Sequence, residues 1–185
     1  MKKILIIHPD DRSTDFLRPI YQQLPNVTLI TGGVSYMDIR ELIQTHDQVM
    51  MMGHGSPYGL FSMGKFPKSG WCIIDNMMID LLSEKNNSVY IWCNADVFVD
   101  RYRLNGIYSG MFISEVGESI YCGIPSTQKQ VDESNNVFAQ ALGEQLLMET
   151  SLEQVYDNTN QAYRILAESN QVAKYNQNRF YYALD

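Results

Sequence analysis

Through the first half of the chain, short unbroken apolar runs alternate with segments whose apolar residues recur at helical spacing. Residues 3–7 (Lys-Ile-Leu-Ile-Ile) form the kind of run that a strand buried on both faces shows. Phe16, Leu17, Ile20, Tyr21 and Leu24 then fall on one helical face, with Ser13 as an N-cap and Pro25 as a stop. Residues 27–30 read as a second strand, closed by Gly32 and Gly33. Ser35 and Asp38 make a capping box for a helix with Ile39, Leu42, Ile43 and His46 on its apolar face. A third strand, 47–52, carries three consecutive methionines and runs into Gly53-His54-Gly55-Ser56. Residues 57–70, punctuated by Pro57, Gly59, Gly64, Pro67 and Gly70, read as a long loop. A helix is predicted next, with Ile74, Met77, Met78, Leu81 and Leu82 on one face. A fourth strand, 88–92, then ends at Cys93-Asn94.

The second half is less regular. Residues 108–115 and 119–124 read as a strand each, or as a hairpin around Gly117. Two helices follow. The first buries Val137, Phe138, Ala141, Leu142 and Leu146; the second starts at the Ser151/Gln154 capping box and buries Val155, Tyr156, Ala162, Tyr163 and Leu166. Residues 179–183 are a candidate last strand. The alternation predicts an α/β fold, a three-layer α/β/α sandwich around a mainly parallel sheet, built as a single domain over residues 1–185.

Composition narrows the function classes. With 185 residues, 45% hydrophobic and 19% charged, the chain has the makings of a globular core without staples. No apolar run reaches the roughly 18 residues of a membrane helix. The apolar start is cut at His8-Pro9-Asp10-Asp11 with no small-residue cleavage site after it, so a cytoplasmic location is expected. Three cysteines, Cys72, Cys93 and Cys122, give neither a disulfide framework nor a Cys-x-x-Cys zinc signature. A net charge of −7 without a basic stripe argues against nucleic acid as a partner.

The chemistry gathers at the ends of the third and fourth strands. If these are neighbours in one parallel sheet, His54 and Cys93 emerge side by side at its carboxyl edge, where α/β sheets collect ligands and catalytic groups. A free thiol is only a few per cent thiolate at neutral pH, so an adjacent imidazole is what turns Cys93 into a nucleophile. Gly55 lets a substrate backbone approach closely and offers an N–H to an oxyanion.

Gly53-His54-Gly55-Ser56 and Ile91-Trp92-Cys93 resemble the two stations of the caspase-like cysteine peptidases, the clan of caspases, metacaspases, gingipains, separases and CHAT domains. There, one hydrophobic block ends in His-Gly and a second ends in the catalytic cysteine. The strand, the Pro125 turn and the two long helices of the distal half are also similar to CHAT and gingipain chains. The resemblance implies a caspase-like fold and a cysteine peptidase. In it Cys93 attacks the scissile carbonyl, His54 is the general acid, and the N–H groups of Gly55 and Cys93 hold the oxyanion. Neither metal nor cofactor is required for that chemistry, and the partner is a peptide or protein substrate. Two departures stand out: Trp92 replaces the usual small residue before the cysteine, and Asn94-Ala95-Asp96 replaces the Ser-Gly or Arg-Gly that often follows. Each is expected either to reshape the substrate groove or to mark a degenerate, inactive member.

On the same reading, loops after strands one and four line the pocket for the residue before the scissile bond. Asp10, Asp11, Arg12 and Asp96 are then candidate substrate-binding residues, and the acidic excess favours a basic residue there. A rival signal is Ile7-His8-Pro9-Asp10-Asp11, which resembles the opening of the PIG-L/LmbE zinc deacetylases. It implies His8 and Asp11 as zinc ligands, but Arg12 stands where that motif has Glu. No His-x-x-His exists among the three histidines, His8, His46 and His54, so His54 is left as the third ligand. A third possibility is a catalytically inactive caspase-like module that binds or regulates partners, with the tyrosine-rich tail (Tyr175, Tyr181, Tyr182) as its interface.

Overall fold

A computed structural model of the chain describes residues 2–67, 69–148 and 150–184. They form two compact units, one of residues 2–11, 25–67, 69–110 and 181–184 and one of residues 12–24, 111–148 and 150–180.

The first unit is built on strands β1 (Ile4–Ile7), β2 (Val27–Ile30) and β3 (Gln48–Met52), with helix α1 (Tyr36–Thr45) between β2 and β3. Then come the short strands β4 (Gly55–Ser56), β5 (Gly59–Phe61) and β6 (Cys72–Ile74), helix α2 (Ile79–Leu82), strand β7 (Ser88–Ile91), helix α3 (Ala95–Tyr102) and strand β8 (Gly106–Ser109). The main sheet has the order β2-β1-β3-β7-β8-β9, where β9 is Phe180–Ala183 near the end of the chain. The β1–β2, β1–β3, β3–β7 and β7–β8 pairs are all parallel. The protein is therefore an α/β fold around a six-stranded, mainly parallel sheet.

Continuous apolar strands follow from this sheet having two buried faces. Leu5, Ile7, Val49, Met51 and Tyr90 pack with Ile39 and Ile43 of α1, Leu81 and Leu82 of α2 and Phe98 and Val99 of α3. The alternate residues Ile6, Met50, Met52, Val89 and Ile107 are as fully buried on the other face. Unbranched methionines fit such irregular interior space well, and none of the three in β3 reaches solvent.

The second unit contains a 3-10 helix (Arg12–Ile20) and helices α4 (Val116–Tyr121), α5 (Gln128–Leu147), α6 (Leu152–Ala167) and α7 (Gln171–Gln177). Its centre is Phe138, which meets Phe112 and Phe180 edge-on at centroid separations of 4.9 and 5.3 Å. Gly143 of α5 lies against the 3-10 helix so closely that a Cβ there would sit 2.5 Å from the Pro19 carbonyl oxygen.

Several elements differ from the sequence reading. Residues 57–70 are not all loop: they contain β5, which pairs with the flanking β4 and β6 in a three-stranded antiparallel sheet that begins immediately after His54. These strands are two or three residues long, too short for an alternation to be read. Ile74 belongs to β6, and the helix after it shrinks to a 3-10 turn at Asn76–Met78 followed by α2. Residues 119–124 do not form a strand. The Glu118 carboxylate accepts from the N–H groups of Ser114 and Glu115 at 2.7 and 3.1 Å, which caps α4. The first helix is of the 3-10 type, with Pro19, which has no N–H to donate, inside it. Helices α3 and α7 went unread.

Candidate functional site

The order β2-β1-β3 places the reversal of the winding between β1 and β3, and a crevice opens at the carboxyl ends of strands that diverge in this way. Three segments of the first unit leave the sheet at this edge: 8–11 after β1, 53–54 after β3, and 92–94 after β7. Their mutual placement follows from the sheet register. Met52 of β3 is opposite Ile91 of β7, and the Gly53 N–H donates to the Ile91 carbonyl at 3.0 Å. Two residues further along each chain stand His54 and Cys93, at equivalent positions beyond adjacent parallel strands.

His54 is held through its backbone. Gly53 before it has φ of +139°, a value that suits glycine, and a Cβ there would come within 3.6 Å of the Pro9 ring. The His54 carbonyl accepts from the Phe61 N–H at 2.9 Å, which ties the residue to β5. Its imidazole Nε2 lies 3.9 Å from Asp11 Oδ1, and both side chains are 29% exposed. That spacing suits an ion pair with a protonated ring or one bridging water, and is longer than a direct hydrogen bond.

Cys93 occupies a sharp strand-to-helix turn. Asn94 adopts the left-handed conformation (φ 63°), which asparagine tolerates better than most residues, and α3 starts at Ala95. The Ser109 hydroxyl at the end of β8 donates to the Trp92 carbonyl at 3.0 Å and fixes the peptide before the cysteine. The half-buried thiol thus sits just before the amino end of α3, the positive end of the helix dipole.

Trp92 is buried, at 2% exposure, and forms the floor under the β4–β5 hairpin. Its ring meets Tyr90 and Phe98 edge-on at 5.7 and 5.6 Å, and Nε1 donates to the Ser56 carbonyl at 3.1 Å. Gly55 makes room for it: a Cβ on Gly55 would lie 2.2 Å from Trp92 Cδ1. The indole therefore supports the segment after His54 from below.

Gly55 has a second property. It pairs with Leu60, and the Phe61 N–H bonds the His54 carbonyl, so Gly55 and Leu60 form the non-hydrogen-bonded pair of this antiparallel ladder. The Gly55 N–H consequently points away from β5.

The remaining predicted residues disperse. Asp10 donates its N–H to the Thr31 carbonyl and faces Lys65 Nζ at 3.6 Å, a solvated surface pair. Asp96 lies in the first turn of α3, and its charge acts on Tyr108. Burial first, then the neighbouring Asp100, pushes the Tyr108 phenol up to about 12; its hydroxyl donates to Asp100 at 3.3 Å. Arg12 opens the 3-10 helix of the second unit, where it lines a surface cleft with Ser13, Phe16 and Glu115.

For the zinc reading, His8 is buried at 4% exposure. His46 has both ring nitrogens engaged, with the Leu42 carbonyl at 2.7 Å and the Thr28 hydroxyl at 2.9 Å, which makes it a structural histidine. Among the described residues no three His, Cys, Asp or Glu side chains are grouped to hold a metal ion. No helix among them is long and apolar enough to cross a membrane. Sequence reasoning missed Ser109 and the floor role of Trp92, since both depend on strand neighbours rather than on any local motif.

No family model matches the chain, and neither do the curated proteins or the solved structures.

Proposed function

We propose that this chain is a cysteine peptidase of the caspase-like kind, with Cys93 as nucleophile and His54 as general acid and base. One observation carries the reading. His54 and Cys93 stand at register-equivalent positions beyond two adjacent parallel strands, at the carboxyl edge of the sheet and next to the β1/β3 reversal. The resemblance of both stations to that clan agrees with it, as does the mainly parallel α/β sheet.

In the reaction the Cys93 thiolate adds to the scissile carbonyl carbon, forming a C–S bond while the carbonyl π pair moves onto oxygen. The N–H groups of Gly55 and Cys93 receive that oxyanion, and the orientation of the Gly55 N–H away from β5 leaves it suited to the task. Collapse breaks the C–N bond, and the His54 imidazolium gives its proton to the departing amine. Water then attacks the acyl thioester. His54 takes the water's proton, and the thiolate leaves. Asp11, 3.9 Å from Nε2, orients the ring so that its other nitrogen faces away from the carboxylate. Its role is thus to position His54 rather than to bind substrate directly. The acidic excess of the chain favours a basic residue before the scissile bond.

Thiol labelling tests the proposal. A peptidyl acyloxymethyl ketone with arginine before the warhead is expected to alkylate Cys93 stoichiometrically. Cys72, whose thiol burial pushes up, serves as an internal control that stays unmodified. His54→Ala is expected to slow labelling by about 100-fold or more. Labelling of Cys93 no faster than that of Cys72, and indifferent to His54→Ala, would sink the reading.

A further inference from the structure

Away from the sheet edge, the first unit holds a surface cleft of about 420 Å³ whose lining includes Tyr58, Trp71, Asp75, Asn76, Arg101 and Tyr102. Two of its aromatic members are out in the solvent: Trp71 is 79% exposed and Tyr58 69%. Large rings are ordinarily drawn into the core, and two of them flanking one cleft ask for an explanation.

Neither ring is loosely placed. The Trp71 carbonyl accepts from the Ser62 N–H at 2.9 Å, and its indole rests edge-on against Phe61 at 5.8 Å. Tyr58 sits in the β4–β5 turn, its N–H donating to Ser56 Oγ at 3.2 Å. The next residue, Gly59 (φ +141°), is pressed so closely onto the Ile74 carbonyl that no side chain fits there. The Arg101 guanidinium lies 5.5 Å from the Tyr58 ring centre. Aromatic surface carried on fixed backbone, with only two side-chain torsions per ring, is contact area with little rotamer entropy to lose.

The polar lining completes the description of a ligand. Asp75 accepts from the Tyr36 hydroxyl at 2.7 Å and from the Met77 N–H at 2.9 Å, both on Oδ1, which leaves Oδ2 as an acceptor. Asn76 contributes an amide that both donates and accepts, and Arg101 contributes only donors. One carboxylate and one guanidinium cancel, so the cleft selects for neither an anion nor a cation. Arg101 over Tyr58 further disfavours a cationic guest, and the open, half-polar lining offers a purely apolar one too little burial. What remains is a neutral molecule with an apolar face to stack on indole and phenol and an edge of paired hydroxyls to meet planar Asp, Asn and Arg groups.

We propose that this cleft binds a neutral saccharide, its pyranose C–H face on Trp71 and Tyr58 and its hydroxyls on Asp75, Asn76 and Arg101. The site is independent of Cys93, so Cys93→Ala leaves it intact whatever becomes of the peptidase reading.

The full chain provides its own reporter. It has two tryptophans, and Trp92 is buried, so a change in solvent-exposed emission reports Trp71. Titration with cellotetraose, a neutral β-linked glucose oligomer, is expected to give a saturable blue shift with a Kd on the order of 1 mM or below, the range open to a shallow site. Calorimetry is expected to show that Trp71→Ala weakens binding at least about tenfold. Asn76→Ala, at an exposed position, weakens it while keeping the indole as reporter. The exposure of Trp71 lets its variant keep the fold, which an unchanged melting temperature checks. Absence of saturable heat and emission change with cellotetraose overturns the proposal. So does binding that survives Trp71→Ala, or a tyrosine-containing peptide that occupies the cleft more tightly than the sugar.

Discussion

At the residue scale, Gly55 is where fold and chemistry make the same demand. Glycine after His54 looked from the sequence like a concession to the substrate backbone. In the fold it is first a steric requirement, because the Trp92 ring and the Gly59 carbonyl oxygen occupy the space of a Cβ, at 2.2 and 2.8 Å. The two features that seemed unrelated in sequence, a glycine after the histidine and a tryptophan before the cysteine, are one packing solution. Gly55→Ala must therefore push the hairpin off the indole or shift the indole within its cage of Tyr90 and Phe98. Overpacking of a closed site typically costs about 1–3 kcal/mol, and backbone atoms on one side leave little room to relax. Urea denaturation of Gly55→Ala is expected to show a loss in that range, together with slower labelling of Cys93. Wild-type stability and wild-type labelling together would mean that the Gly55–Trp92 contact does not set the geometry of the site.

At the element scale, the legible parts were those written in local rhythm. The strands carrying Ile4–Ile7, the three methionines and Val89–Ile91 are unbroken apolar runs, and burial on both faces is what makes them so. The boxes at Ser35/Asp38 and Ser151/Gln154 begin α1 and α6, as their spacing implies. Those runs place His54 and Cys93 at strand ends, and the pairing of β3 with β7 makes the two strands neighbours. Hidden from local reading was whatever depends on a partner distant in sequence. Asp11 meets His54 only because β1 and β3 are neighbours, and β4–β6 exist only because three short segments pair. Helix α4 was misread for a different reason. The apolar residues of 119–124 suggested a strand, while its start is an acidic box built on Glu118, which accepts from Ser114 N, Ser114 Oγ and Glu115 N. Glu118→Ala removes the acceptor of all three bonds and is expected to cost about 1–2 kcal/mol in denaturation, the worth of a lost cap. Glu118→Gln, which keeps an acceptor oxygen, should recover part of it. Equal stability of both variants and wild type would show that α4 needs no cap.

At the scale of the whole molecule, each unit buries phenols that must stay neutral, and this ties folding to alkaline pH. In the second unit Tyr163 is 1% exposed, and burial pushes its phenol up to about 12, against the weaker opposing effect of its hydrogen bonds with Ser134 and Asn176. In the first unit Tyr90 has no exposed surface, and burial likewise pushes it up. The sign follows from proton counting. Below the unfolded value near 10 both states keep the proton, and stability is at its full value. Between about 10 and 12 the unfolded chain loses the Tyr163 proton while the folded chain holds it, so stability falls as pH rises. Two pH units of that difference amount to roughly 2–3 kcal/mol for Tyr163. Phenolate absorbance followed from pH 9 to 13 is expected to show the exposed tyrosines ionising first and the buried ones only with loss of structure. Tyr163→Phe keeps the ring contact with Phe138 but has no proton to lose, so its stability should fall less between pH 10 and 12 than that of the wild type. If the two slopes coincide, Tyr163 does not couple folding of the second unit to pH. If Tyr163→Phe flattens the slope while the remaining loss follows ionisation in the first unit, each unit answers to its own buried phenol.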